Sequence, residues 1–86
     1  SQEAEWAGTP ISLTTIQFEL LRTLAEQPNR LFDREQLLLR AWGYDAAGDT
    51  RAVDSMIKRL RARLREAGGD PECIVTLRDA GYKLVI

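Results

Sequence analysis

The sequence predicts an α+β fold, three helices followed by a β-hairpin. Three observations carry this. Apolar residues recur at helical spacing in three successive segments. Two of those segments open with a capping-box pattern. The chain then closes with two strand-forming runs around Asp79-Ala80-Gly81. At 86 residues and 9.7 kDa the chain is expected to form a single domain over residues 1–86. A domain of this size buries about 60–65% of the surface its unfolded chain exposes, so its core is thin.

The elements follow in order. Residues 4–13 read as the end of a hairpin: Trp6 and Ile11 are strand formers, Ala7-Gly8-Thr9-Pro10 between them is turn chemistry, and Leu13 continues the second strand. Thr14 and Gln17 form a capping box that opens the first helix. Phe18, Leu21, Leu24 and Ala25 make its apolar stripe, widened by Ile16 and Leu20, and Pro28 stops it. Arg30-Leu31-Phe32 is a short extended connector. Asp33 and Gln36 repeat the capping box before a short helix with Leu37, Leu38, Ala41 and Trp42 on its apolar side and Gly43 at its end. Residues 43–49 form a loop. Thr50 is expected to cap the third helix, with Asp54 near its positive end. Val53, Ile57, Leu60 and Leu64 form one narrow seam, and Gly68-Gly69-Asp70-Pro71 breaks the helix. Ile74–Arg78 and Tyr82–Ile86 are the strands of the final hairpin, with Gly81 expected in the left-handed position that closes a three-residue loop.

Composition excludes several kinds of chemistry. There is no His, which removes Ser-His-Asp and Cys-His nucleophilic machinery and the mixed Cys/His zinc sites. The one cysteine, Cys73, has no internal disulfide partner, which fits a cytosolic setting. Carboxylate-pair chemistry stays formally open, but a chain this short has little room for an enclosed cleft, so no enzyme, cofactor or metal is expected. No run approaches the ~18 apolar residues of a membrane span, and the polar, acidic start is no signal peptide. A chain beginning with Ser1 rather than Met reads as a fragment of a longer protein.

Charge distribution is more telling than charge. The formal net charge is −1, yet residues 51–65 hold six bases (Arg51, Lys58, Arg59, Arg61, Arg63 and Arg65) against the single acid Asp54. On a helical wheel Arg51, Ser55, Lys58, Arg59 and Ala62 lie roughly opposite the apolar seam, with Met56 and Arg63 on one flank, Arg65 on the other and Arg61 nearer the seam. Long cations interleaved with small residues suit a helix that enters a major groove. The plain alternative is a solvated charged face. A helix–loop–helix pair followed at once by a hairpin is the order of a winged helix-turn-helix. The hairpin adds Arg78 and Lys83. Arg78 at its tip is suited to a narrow minor groove or, alternatively, to a surface pair with Asp79, and Thr76 is placed to bond a phosphate.

The chain resembles the effector domain of OmpR/PhoB-type response regulators, the winged-helix transcription factors of bacterial two-component systems. The resemblance runs through Leu13-Thr14, Phe18-Glu19-Leu20-Leu21, Phe32-Asp33-Arg34-Glu35-Gln36-Leu37 and Ala41-Trp42-Gly43-Tyr44. It continues through Asp49-Thr50-Arg51-Ala52-Val53-Asp54, Lys58-Arg59-Leu60-Arg61 and Thr76-Leu77-Arg78-Asp79-Ala80-Gly81-Tyr82. It implies sequence-specific binding of double-stranded DNA for transcription regulation, with a recognition helix at about 51–66 in the major groove. The wing, about 74–86, would lie on the backbone and minor groove. The implied DNA-facing residues are Arg51, Ser55, Met56, Lys58, Arg59, Arg61, Thr76 and Arg78. The loop from Trp42 to Asp49, with Tyr44 and Asp45, resembles a segment that meets RNA polymerase in some members. The resemblance further implies a phosphorylated receiver domain and a sensor kinase in the full-length protein, and dimers on tandem DNA repeats.

Three departures stand out. Met56 occupies a position where many members carry His, Asp79 replaces a frequent Gly, and only the last two strands of the family's four-stranded N-terminal sheet are expected. That truncation would expose a sheet edge, so the chain in solution is read as a monomer or as a truncation-induced dimer. Several residues keep structural readings. Trp42 and Tyr82 read as core, Trp6 as hairpin packing, Cys73 as a small buried hydrophobe, and Asp54 as a cap and partner for a nearby Arg. Tyr44 is open between loop packing and partner contact. The alternative function is a winged-helix interaction module whose basic face meets an acidic protein, a reading that the balanced net charge and Asp79 keep open.

Overall fold

The computed structural model describes residues 2–6, 8–43 and 49–85. The elements are β1 (Gln2–Trp6), β2 (Thr9–Leu13), α1 (Thr15–Glu26), α2 (Arg34–Trp42), α3 (Arg51–Glu66), β3 (Ile74–Leu77) and β4 (Gly81–Leu84). β1 and β2 pair antiparallel in one two-stranded sheet, β3 and β4 in another. The expected α+β arrangement is therefore present, with a two-stranded N-terminal sheet. Trp6 pairs with Thr9 and Glu5 with Pro10, so Thr9 and Pro10 belong to β2 rather than to the turn. Pro10 is tolerated there because a two-stranded ribbon is all edge.

Both capping boxes form. The Thr14 and Asp33 side chains accept from the backbone N–H of Gln17 and Gln36 at 3.2 and 2.8 Å, and each Gln side chain accepts the cap's own N–H at 3.0 Å. Thr50 does not cap α3. Its backbone is already helical, with φ −71° and ψ −12°, and its side chain makes no capping bond. Asp49 takes the role, its Oδ1 accepting from Arg51 N at 3.2 Å.

The core runs between the three helices and the inner faces of both hairpins. Leu20 and Leu24 of α1, Leu37 of α2, and Val53, Ile57, Leu60 and Leu64 of α3 are fully buried with Leu13, Phe32, Ile74 and Leu84. Ala25, placed in the α1 stripe by spacing, is exposed, because the buried arc centres on Leu20, Leu21 and Leu24. Trp6 packs beside Gly69, where an added Cβ would come within 2.6 Å of the indole. Cys73 is half-buried in the 3-10 turn Pro71–Cys73 rather than fully enclosed.

The connector between α1 and α2 acts as a third partner for the second hairpin. Phe32 and Tyr82 exchange both backbone hydrogen bonds at 2.9 Å, and Asn29 N donates to Leu84 O. This explains Gly81 differently from the expectation. Asp79, not Gly81, holds the left-handed position of the loop, with φ +64°. Gly81 lies in β4 with φ +141°, and a Cβ there would sit 2.0 Å from Phe32 O. Glycine is needed because two backbones pass too closely for a side chain.

Candidate nucleic-acid interface

α3 is held on one side only. Its four seam residues are fully buried, while Arg51, Ser55, Lys58, Arg59, Ala62 and Arg65 are exposed. The basic face read from the wheel is therefore a surface, interrupted by the short side chains of Ser55 and Ala62 as groove entry requires. Arg51 forms only a loose pair with Asp49 at 3.3 Å, with its side chain 91% exposed, so its charge is held weakly. Met56 is half-buried and packs against the core. That places much of its surface on the protein rather than outward.

Two of the expected site residues are joined to each other. The Arg61 guanidinium donates to Ile74 O and, at 2.7 Å, to Thr76 Oγ1. Arg61 thus ties α3 to β3, and Thr76, although exposed, is partly occupied as an acceptor. Beside them, Arg61, Arg65, Pro71, Glu72, Ile74, Val75 and Thr76 line an open groove of about 430 Å³ between α3 and the hairpin. Arg63 is also engaged, donating to Ser12 O at 2.8 Å and to Glu66 at 2.6 Å. It fastens α3 to the N-terminal hairpin.

The hairpin tip is different. Leu77 and Gly81 form the last ladder pair, so Arg78, Asp79 and Ala80 project beyond it. Arg78 is exposed and, among the described residues, forms no ion pair, so the surface pair with Asp79 is not made. Trp42 is half-buried and packs on the core, in line with its structural reading. Tyr44 and Asp45 lie outside the described residues.

Asp54 has partners that spacing alone did not identify. Arg34 Nε donates to its Oδ1 at 2.7 Å, and the Tyr82 hydroxyl donates to the same oxygen. Partial burial disfavours the Asp54 carboxylate, but the Tyr82 hydroxyl and the Arg34 guanidinium outweigh that penalty and hold its pKa below the usual range. Burial, reinforced by the carboxylate, pushes the Tyr82 hydroxyl up. The sequence marked Asp54 as the lone acid of a basic helix. The expected Arg partner is present, but the sequence did not identify it as Arg34 and carried no signal for Tyr82; the two lie 20 and 28 residues away.

A family profile described as "Transcriptional regulatory protein, C terminal" matches residues 8–84. The chain is 42% identical over 76 residues to the DNA-binding response regulator MtrA of Mycolicibacterium smegmatis, covering 88% of this chain and 33% of that protein. It is 44% identical over 82 residues to the transcriptional regulatory protein ResD of Bacillus subtilis, covering 92% of this chain and 33% of that one. The chain thus spans about a third of the length of these curated relatives. Among solved structures, the DNA-binding domain of Bacillus subtilis CssR is similar with a TM-score of 0.80 and 31% identity, covering 96% of this chain and 90% of that one. The DNA-binding domain of Klebsiella pneumoniae RstA, solved in complex with the RstA box, has a TM-score of 0.76 and 33% identity, covering 96% and 82%.

Proposed function

The chain belongs to the OmpR/PhoB-type family of transcriptional regulatory C-terminal domains, and on that premise we propose that it binds double-stranded DNA sequence-specifically to regulate transcription. The family is one of DNA-binding regulators, not enzymes. α3 enters the major groove with Arg51, Ser55, Lys58 and Arg59 toward phosphates and base edges, flanked by Met56. Arg61 and Thr76 sit where α3 meets the hairpin and contribute to the adjacent backbone. Arg78 at the tip reaches the minor groove.

One observation carries this reading. α3 buries four apolar residues completely and leaves a cationic face exposed, and the hairpin tip carries an exposed Arg78 that forms no ion pair among the described residues. Arg can grip guanine bidentately, and the exposed Lys and Arg residues neutralise phosphates. The test is binding by Arg59→Ala and Arg51→Ala to a duplex selected by the unaltered chain. Each is expected to weaken binding about tenfold or more without unfolding the domain. Unchanged affinity in either variant would remove that residue from the interface.

The finer partners belong to the same proposal. The relatives are about three times as long, which supports a preceding receiver domain served by a sensor kinase in the full-length protein. We place pairing on tandem DNA repeats in this reading, with a contact to RNA polymerase through the loop from Trp42 to Asp49 that includes Tyr44 and Asp45. A cytoplasmic location goes with it. Among the described residues no helix is long and apolar enough to cross a membrane.

A further inference from the structure

Asp54 is the lone acid among the bases of residues 51–65, and DNA contact gives it no task. A carboxylate facing phosphates repels them. Its partners supply another role. Tyr82 donates its hydroxyl to Asp54, and its ring lies within 5.3 Å of the Arg34 guanidinium and 5.8 Å of that of Arg61. The Tyr82 backbone is held in turn by both hydrogen bonds to Phe32.

The register gives this cluster its meaning. Thr76 and Tyr82 are cross-strand partners in the hairpin. Arg61 holds Thr76 and Asp54 holds Tyr82, so α3 grips both strands of the hairpin at the same rung. The two gripping residues lie seven positions apart, about 10.5 Å along the helix. The connector holds only the β4 side of the hairpin, so its angle to α3 is freer when α3 grips one strand than when it grips both from two separated points. The projecting tip that carries Arg78 begins just beyond that rung.

We infer that the Asp54–Tyr82 hydrogen bond is a positioning device that fixes the angle of the hairpin against α3 and so decides where Arg78 meets DNA. The inference rests on the DNA-binding reading above. Removing the Tyr82 hydroxyl leaves the ring, its burial and its backbone pairs to Phe32 in place but reduces the polar grip of α3 on the hairpin to Arg61, which holds β3 alone. Asp54 touches no DNA in this account. It acts through Arg78.

A double-mutant cycle tests it. Tyr82→Phe, Arg78→Ala and the pair are compared with the unaltered chain for affinity to a duplex that the unaltered chain enriches from a random pool. Folding is checked by circular dichroism. Tyr82→Phe is expected to weaken binding about fivefold, and that loss should vanish when Arg78 is already Ala. Equal losses in both backgrounds, or no loss in either, overturn the inference, since a merely structural role lowers affinity regardless of Arg78. Asp54→Asn is run in the same cycle, so a failure of Tyr82→Phe to fold does not end the test. The charge that Asp54→Asn removes acts alike in both backgrounds and cancels. If the unaltered chain selects no duplex at all, the DNA-binding reading itself fails, a result distinct from an additive cycle.

Discussion

A Cβ at position 81 would meet the carbonyl oxygen of Phe32 at 2.0 Å, in backbone that cannot give way. Gly81→Ala is therefore expected to destabilise the domain by about 3 kcal/mol or more, while Gly68→Ala, with open space around it but φ +85°, costs only about 1–2 kcal/mol. Urea midpoints of the two variants check this, and equal midpoints would count against the close approach. Asp54 gives a second test at this scale. Its folded pKa lies below its unfolded value, so its stabilising contribution is present above the unfolded value of about 3.9 and is lost as pH falls through the folded one. Tyr82 has the opposite sense: its pKa is raised, so its contribution is full below about pH 10 and lost as pH rises beyond the folded value. Between pH 6 and about pH 3 the unaltered chain should lose more stability than Asp54→Asn. Parallel urea-midpoint curves would contradict the ion pair's contribution. With the Asp54 side chain 45% exposed, solvent screening keeps the difference below about 1 kcal/mol.

At the scale of the elements, local signals decided what could be read in advance. Thr14-Gln17 and Asp33-Gln36 lie three residues apart, and each cap closes on itself, so both helix starts were legible from spacing. The α3 seam was legible for the same reason, since one helical period fixes which side is buried. The start of α3 was not. Thr50 and Asp49 are both acceptable caps by residue type, and the backbone at Thr50 chose Asp49. Asp49→Ala should cost about 1 kcal/mol and Thr50→Ala at most a few tenths. Thermal or urea unfolding separates them, and a larger cost at Thr50 would reverse the assignment. The role of Gly81 was illegible because it depends on the connector around Phe32, which is distant in sequence and pairs with β4 only after folding.

For the whole molecule, a net charge of −1 masks a one-sided distribution, and folding divides the cations by task. Arg61 and Arg63 become internal ties, Arg34 pairs with Asp54, and Lys58, Arg59, Arg65 and Arg78 stay at the surface. The basic face of α3 was readable as a stripe, but which members were committed to the fold was not, because each tie reaches 13 or more residues along the chain. Phosphate neutralisation by these four surface cations and the exposed Arg51 predicts a slope of log K against log salt of about −4 to −5. A flat response would contradict it. The central claim is that this face and the hairpin tip read sequence. Its most direct test is selection from a random duplex pool at about 150 mM salt with the 86-residue chain. The account predicts enrichment of a direct repeat with half-sites about one helical turn apart. A folded chain that enriches no sequence would contradict it and leave the basic face to an acidic protein partner.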